Sequence, residues 1–164
     1  MAFENNFFDK FCRMEIADAS QLLEMELKSG AINDTSLDFR VLPLHQYLAW
    51  ARWNPIKHAP QKLKLLLAHG ADPKRDAGIL TMLLPLHIND QLEFTNILLS
   101  AGVDPNIPNN SGKTAMLCLM ETRGPGKMEA RLSILRSLIG KGANVNQLNE
   151  WKENALHEEL QAST

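Results

Sequence analysis

Four glycines, Gly30, Gly70, Gly102 and Gly142, each close a leucine-rich run and open nearly the same phrase. The phrases read Gly30-Ala-Ile-Asn, Gly70-Ala-Asp-Pro, Gly102-Val-Asp-Pro-Asn and Gly142-Ala-Asn-Val-Asn. Twelve residues after three of these glycines a second echo begins, at Leu42-Pro-Leu-His, Thr114-Ala-Met-Leu and Asn154-Ala-Leu-His; a fourth begins at Thr81, eleven residues after Gly70. The glycine spacings of 40, 32 and 40 residues fall in the window of stacked supersecondary units. A chain of this kind stacks one unit on the next and works by its surface.

Each unit reads as two helices and a turn. Apolar runs such as Leu63, Leu65, Leu66, Leu67 and Ile97, Leu98, Leu99 suit helices buried on most sides. The glycine after each run fits a left-handed position just past the helix end, where a Cβ would be penalised. Asn, Asp, Pro and Ser then supply turn chemistry. A second helix is expected to start at Pro43, Met82, Ala115 or Ala155, with Thr81, Thr114 and Asn154 placed to cap three of those starts. Leu42 has no capping atom.

This pattern resembles the ankyrin repeat, best at Asn110-Ser-Gly-Lys-Thr-Ala-Met, at Leu42-Pro-Leu-His and at Asn89-Asp-Gln-Leu-Glu-Phe-Thr-Asn-Ile-Leu-Leu-Ser-Ala-Gly102, over about residues 9 to 160. The resemblance implies one all-α domain over 1–164, an ankyrin-type solenoid of stacked helix-turn-helix units joined by projecting turns. Its parts would be an N-terminal capping helix pair (1–34), a unit with an insert (35–74), a plain unit (75–106), a second unit with an insert (107–146) and a C-terminal capping helix (147–164). Two departures stand out. Leu42 to Gly70 and Thr114 to Gly142 each span 28 residues, against 21 for Thr81 to Gly102. The extra seven are read as a slightly longer helix followed by a loop, the loop favoured by Asn54-Pro55 and Pro60 in one insert and by Gly124-Pro125-Gly126 in the other. Pro85 should weaken the short first helix of the plain unit.

Solenoid ends need closing. Phe3, Phe7 and Phe11 recur every four residues on one helical face, which with the helix near Ala19 to Ser29 is expected to pack on the following unit rather than on a membrane. Glu158, Glu159 and Gln161 make the last helix polar on much of its surface. A net charge of −2 offers no field for a polyanion, and no apolar stretch approaches the length of a membrane span. The N-terminus, Met1-Ala-Phe-Glu-Asn-Asn, lacks the basic region and the cleavage site of a secretion signal, so ordinary secretion is not expected. Nucleic acid and membrane are therefore not expected partners. A cytoplasmic or otherwise intracellular monomer is expected, with export by a specialised system or delivery into a host still open. Cys12 and Cys118 are expected to be buried, reduced thiols.

Candidate chemistry gives way to plainer readings. Ser111-Gly112-Lys113-Thr114 ends like a phosphate loop, but Ile107 stands where its first glycine belongs, and the four residues fall in phase with the repeat. His58 and His69 have no third ligand at metal spacing. No acid/base or nucleophile constellation appears, so no catalytic residue, cofactor or metal is expected. Lys57, Lys62, Lys64, Lys74 and Arg75 cluster, which reads as solvated helix faces or an interface rim rather than a nucleic-acid stripe.

The resemblance further implies that turns between units project as fingers, at Ser36 to Val41, Arg75 to Leu80, Pro108 to Lys113 and Leu148 to Glu153, beside a concave face lined by first helices. On that geometry the partner-binding residues are Phe39, Arg40, Val41, Trp50, Trp53, Arg75, Leu80, Lys113 and Trp151. Phe39, Val41, Leu80 and Trp151 are apolar where the family is usually polar, and a row of exposed apolar groups marks an interaction patch. Tryptophan and arginine dominate interface hot spots. Trp53 could instead fold over its own insert and Trp151 over the last unit. The function implied is a non-catalytic module binding another protein. Alternatives are an inhibitor or immunity-type protein blocking one enzyme or toxin, and a ligand-dependent switch or enzyme built from the inserts.

Overall fold

A computed structural model describes residues 7–28, 43–54, 56–75, 78–84, 90–121 and 128–147, and these are all-helical, with no strand among them. By its contacts the chain falls into two compact units, residues 1–76 and 77–164.

The first unit holds α1 (Phe7–Arg13), α2 (Ile16–Lys28), α3 (Pro43–Trp53) and α4 (Ala59–Ala68). Its apolar residues recur at helical spacing: Ala19 and Leu23 on α2, Leu44, Tyr47 and Leu48 on α3, Ala59, Leu63 and Leu66 on α4. All are buried, and Phe11 of α1 is buried with them. Phe11 and Tyr47 meet edge to face at 6.0 Å, the arrangement ring quadrupoles favour. The Tyr47 hydroxyl donates to the Ala59 carbonyl at 2.7 Å, so α3 and α4 are joined by a buried polar contact as well as by packing.

The second unit holds α5 (Ile79–Leu83), α6 (Gln91–Ser100), α7 (Ala115–Glu121) and α8 (Met128–Gly140). Five consecutive residues of α7, Ala115 to Leu119, are buried. These five residues have no solvent face, as their unbroken apolar run implies, and the helix reaches solvent at Glu121.

Short helices leave a large share of their carbonyls without an intrahelical partner, and here side chains meet that need. Lys62 of α4 donates to the Cys12 carbonyl near the end of α1 at 2.6 Å. Asn54 donates to Trp50 in the last turn of α3 at 3.2 Å, Gln91 to Leu83 of α5 at 3.3 Å, and Arg131 to Met120 of α7 at 3.3 Å.

Three glycines make one turn three times over. Gly70, Gly102 and Gly142 have φ of +95°, +86° and +85°. At each, the glycine N–H and the next N–H bond back to two carbonyls of the helix: Leu67 and Leu66, Leu99 and Leu98, Ile139 and Leu138. This is the Schellman closure. Two residues past each glycine a side-chain oxygen then accepts a backbone N–H two residues on, from Asp72 to Lys74, Asp104 to Asn106 and Asn144 to Asn146. A Cβ added at Gly70 would meet nothing within 4 Å. Gly70→Ala should therefore cost about 1–2 kcal/mol from the left-handed conformation alone, read as a lower denaturation midpoint with an unchanged denaturant slope.

Asn106 couples two of these turns, donating to the Gly142 carbonyl at 3.0 Å and accepting the Asn144 N–H at 2.6 Å. Only an amide offers donor and acceptor at that reach. Asn106→Leu is expected to destabilise the second unit by about 1–2 kcal/mol and to speed amide exchange at Asn144.

Several expectations need correcting. The short helix starts at Ile79, not Met82, so Thr81 lies inside α5 and donates its hydroxyl to the Gly78 carbonyl instead of capping. Gly78 is the N-cap of α5, and a Cβ there would stand 3.3 Å from the Thr81 hydroxyl oxygen. Thr114 does precede α7, but its hydroxyl is buried without a partner. Pro60 stands in the first turn of α4, where proline is tolerated, rather than in a loop. The first insert does hold a longer first helix, 11 residues in α3 against 5 in α5, followed by non-helical residues 54 and 56–58 before α4, and Pro55 lies outside the described residues. In the second insert, residues 122–127 are outside the described residues, and α8 runs to 13 residues against 10 in α6. Gly30, Phe3, Pro85 and the expected helix after Asn154 also lie outside the described residues.

Candidate functional site

The end of α1, the last turn of α3 and the connection into α4 enclose a cleft of about 340 Å³ lined by Cys12, Arg13, Trp50, Asn54 and Lys57. Its position follows from the local sequence. The α1 helix stops at Arg13, and the chain bends at Met14 before α2. Trp50 is half-buried on α3, and Asn54 closes that helix by bonding its carbonyl. His58 takes a left-handed conformation, φ 55°, as the N-cap of α4. Such a conformation is uncommon for a residue with a Cβ, and His58 stands between Lys57, which lines the cleft, and the first turn of α4.

An ion pair crosses the rim. Lys57 bonds the Glu15 carboxylate, and His58 Nε2 lies 3.8 Å from the other carboxylate oxygen. The hydrogen bond and charge of Lys57 hold the Glu15 carboxyl below its usual range. Both side chains are more than half exposed, at 62% and 59%, so solvent and salt make this pair weak.

Behind the Cys12 wall lies Lys62, wholly buried. Its ammonium donates to the Cys12 carbonyl at 2.6 Å and sits 5.9 Å from the Phe11 ring centre. Desolvation pushes its pKa down, and the Cys12 and Glu15 charges oppose that shift. A cation at a helix C-terminus is also favoured by the helix dipole. The sequence alone places Lys62 in a solvated cluster with Lys57, Lys64, Lys74 and Arg75. The structure corrects this: it lies with Ala59, Leu63 and Leu66 on the buried side of α4.

The chain matches no protein-family model and no curated protein.

Of the residues expected to bind a partner, Trp50 is in the cleft. Trp53 ends α3 and Arg75 ends a short 3-10 helix over Pro73–Arg75, with side chains outside what the structure describes. Phe39, Arg40, Val41 and Trp151 lie outside the described residues. Leu80 was expected on an exposed finger and is instead buried at 3% exposure, because α5 begins one residue before it.

The turn Pro108–Lys113 is described in full. Asn109 organises it, its side-chain oxygen accepting the Ser111 and Lys113 N–H groups, while its own N–H bonds the Lys113 carbonyl. Lys113 ion-pairs with Glu121, its side chain only 21% exposed. It braces the turn against α7.

Two features were missed by sequence reasoning. The cleft brings together residues 12, 13, 50, 54 and 57, which no spacing rule connects. On α8, Met128, Leu132 and Ile139 are exposed at positions i, i+4 and i+11, one helical stripe. Forty residues earlier, at the position in phase with Ile139, Leu99 of α6 is buried. Among the described residues no set of three or more His, Cys, Asp or Glu side chains is placed to hold a metal ion.

Proposed function

We propose that this chain is a non-catalytic protein-binding module of ankyrin type, which holds its partner at a surface that includes the Trp50 cleft. The observation that carries the reading is the turn made three times, at Gly70, Gly102 and Gly142, with the same pair of backbone bonds and the same Asp or Asn closure. A local structure reused in phase with the sequence echoes supports a repeat array, and such arrays present preformed surfaces. Helix ends fixed by Lys62, Asn54, Gln91 and Arg131 leave little to order on binding, which favours affinity.

The thiols support the non-catalytic part. Cys12 and Cys118 are both buried, and burial pushes the Cys118 pKa up to about 11, so it carries almost no thiolate at neutral pH. In this reading the chain needs no cofactor or metal, binds no nucleic acid or membrane, is monomeric alone and acts inside a cell. No helix among the described residues is long and apolar enough to cross a membrane.

The test is affinity capture from lysate with the full chain, comparing wild type with Trp50→Ala after circular dichroism has matched their helix content. One stoichiometric protein held by wild type and lost by the variant is expected. A chain that captures nothing but converts a small molecule would contradict the reading.

A further inference from the structure

Among the described residues lining the cleft, the charged ones, Arg13 and Lys57, are both cations, in a chain whose formal net charge is −2. A third, Lys62, is buried behind the Cys12 wall. Charge of one sign set beside low-dielectric walls focuses its field into a cleft. The indole of Trp50 adds an apolar face beside these cations, half-buried and therefore partly open.

We propose that the Trp50 cleft receives an acidic segment of the partner protein, with a carboxylate meeting Arg13 and Lys57 and a neighbouring apolar side chain resting on the Trp50 ring. This rests on the protein-binding reading above and names the chemistry of the partner's segment. The molecule already makes one half of the contact with its own residues, since Lys57 holds the Glu15 carboxylate at the rim. That pair is solvent-exposed and weak, so an incoming carboxylate can share or displace it at little cost. Arginine adds a planar fork suited to bidentate carboxylate contact. A volume of about 340 Å³ accommodates one or two side chains rather than a folded surface. A nucleic-acid strand fits less well. It needs a cationic track over many phosphates, whereas Glu15 stands at the edge of this cleft.

The test uses a phage-displayed random peptide library selected on the full chain. Enriched peptides should carry Asp or Glu beside a leucine, methionine or aromatic residue. A synthetic copy, followed by fluorescence anisotropy, should lose about tenfold or more in affinity with Trp50→Ala. It should lose a similar factor with Lys57→Glu, and should weaken as salt is added. Lys57→Glu alters an exposed side chain, so it remains decisive should Trp50→Ala fail to fold.

Enriched peptides without acidic bias, or binding indifferent to Lys57→Glu, would overturn the proposal. So would displacement of the peptide by a single-stranded oligonucleotide, which would assign the cleft to nucleic acid. If lysate capture depends on Trp50 while the peptides lack acidic bias, the binding reading stands and the acidic segment falls. If acidic peptides bind at Trp50 and Lys57 while the chain captures nothing from lysate and converts a small molecule, the cleft chemistry stands and the protein-partner reading falls.

Discussion

Tyr47→Ala is expected to lower the stability of the first unit by about 3–5 kcal/mol, the range for truncating a large buried aromatic residue. Tyr47 is fully buried, packs edge to face on Phe11 and donates its hydroxyl to Ala59. The substitution therefore removes a ring, its quadrupolar partner and a hydrogen bond between α3 and α4 together. Tyr47→Phe isolates the last of these and should cost about 0.5–1.5 kcal/mol. Denaturant titration of both variants would measure the two losses. Because Trp50 lies one helical turn beyond Tyr47 on α3, Tyr47→Ala should also change the tryptophan emission before global unfolding begins. A Tyr47→Ala loss no larger than that of Tyr47→Phe would mean that the ring is not part of a close-packed core.

The second large effect is expected at Lys62. Lys62→Ala should destabilise the first unit by about 2–4 kcal/mol, since it opens a cavity and leaves the Cys12 carbonyl without that donor. Lys62→Met keeps most of the volume and should cost less. The pH dependence separates charge from shape. Burial places the Lys62 pKa below its ordinary value of 10.5 in the folded chain, so between the two values the unfolded chain binds more protons. Stability at this residue must then rise with pH across that window, and the penalty for a buried charge is fully present below the folded pKa. The groups acting on it are Cys12, Glu15 and Lys57. Relative to Lys62→Met, the wild type should gain stability as pH rises toward 10.5. A difference that stays flat with pH would show that burial has not perturbed the ammonium.

The turns were legible in the sequence because their constraint is local. Only glycine takes a φ near +90° without strain, and an Asp or Asn two residues later has one short-range bond to make. Helices α4, α6 and α8 were legible from the leucine-rich runs that close at Gly70, Gly102 and Gly142, and the starts of α3 and α7 from the echoes at Leu42 and Thr114. The start of α5 was not: Thr81 looked like a cap by phase, whereas the chain used Gly78 and buried Ile79 and Leu80. Packing overrode the capping preference there. Lys62 was misread for a related reason. Charge suggested solvent, but the residue stands three before Leu65 and four before Leu66, and its place among Ala59, Leu63 and Leu66 was visible in the spacing. What spacing could not supply was its partner, a carbonyl fifty residues earlier at the end of α1. The cleft was illegible for the same cause, since it joins residues 12, 13, 50, 54 and 57 through tertiary packing alone. Trp50 was singled out by residue type, and the structure adds the cations beside it.

The most direct test of the central claim is a hydrogen-exchange footprint of the full chain with and without its captured partner. The account predicts slowed exchange at residues 12–14 and 50–58 when the partner binds, with α8 unchanged. Protection confined to α8, around Leu132 and Ile139, would place the partner on the apolar stripe instead and would contradict the assignment of the cleft as the binding site.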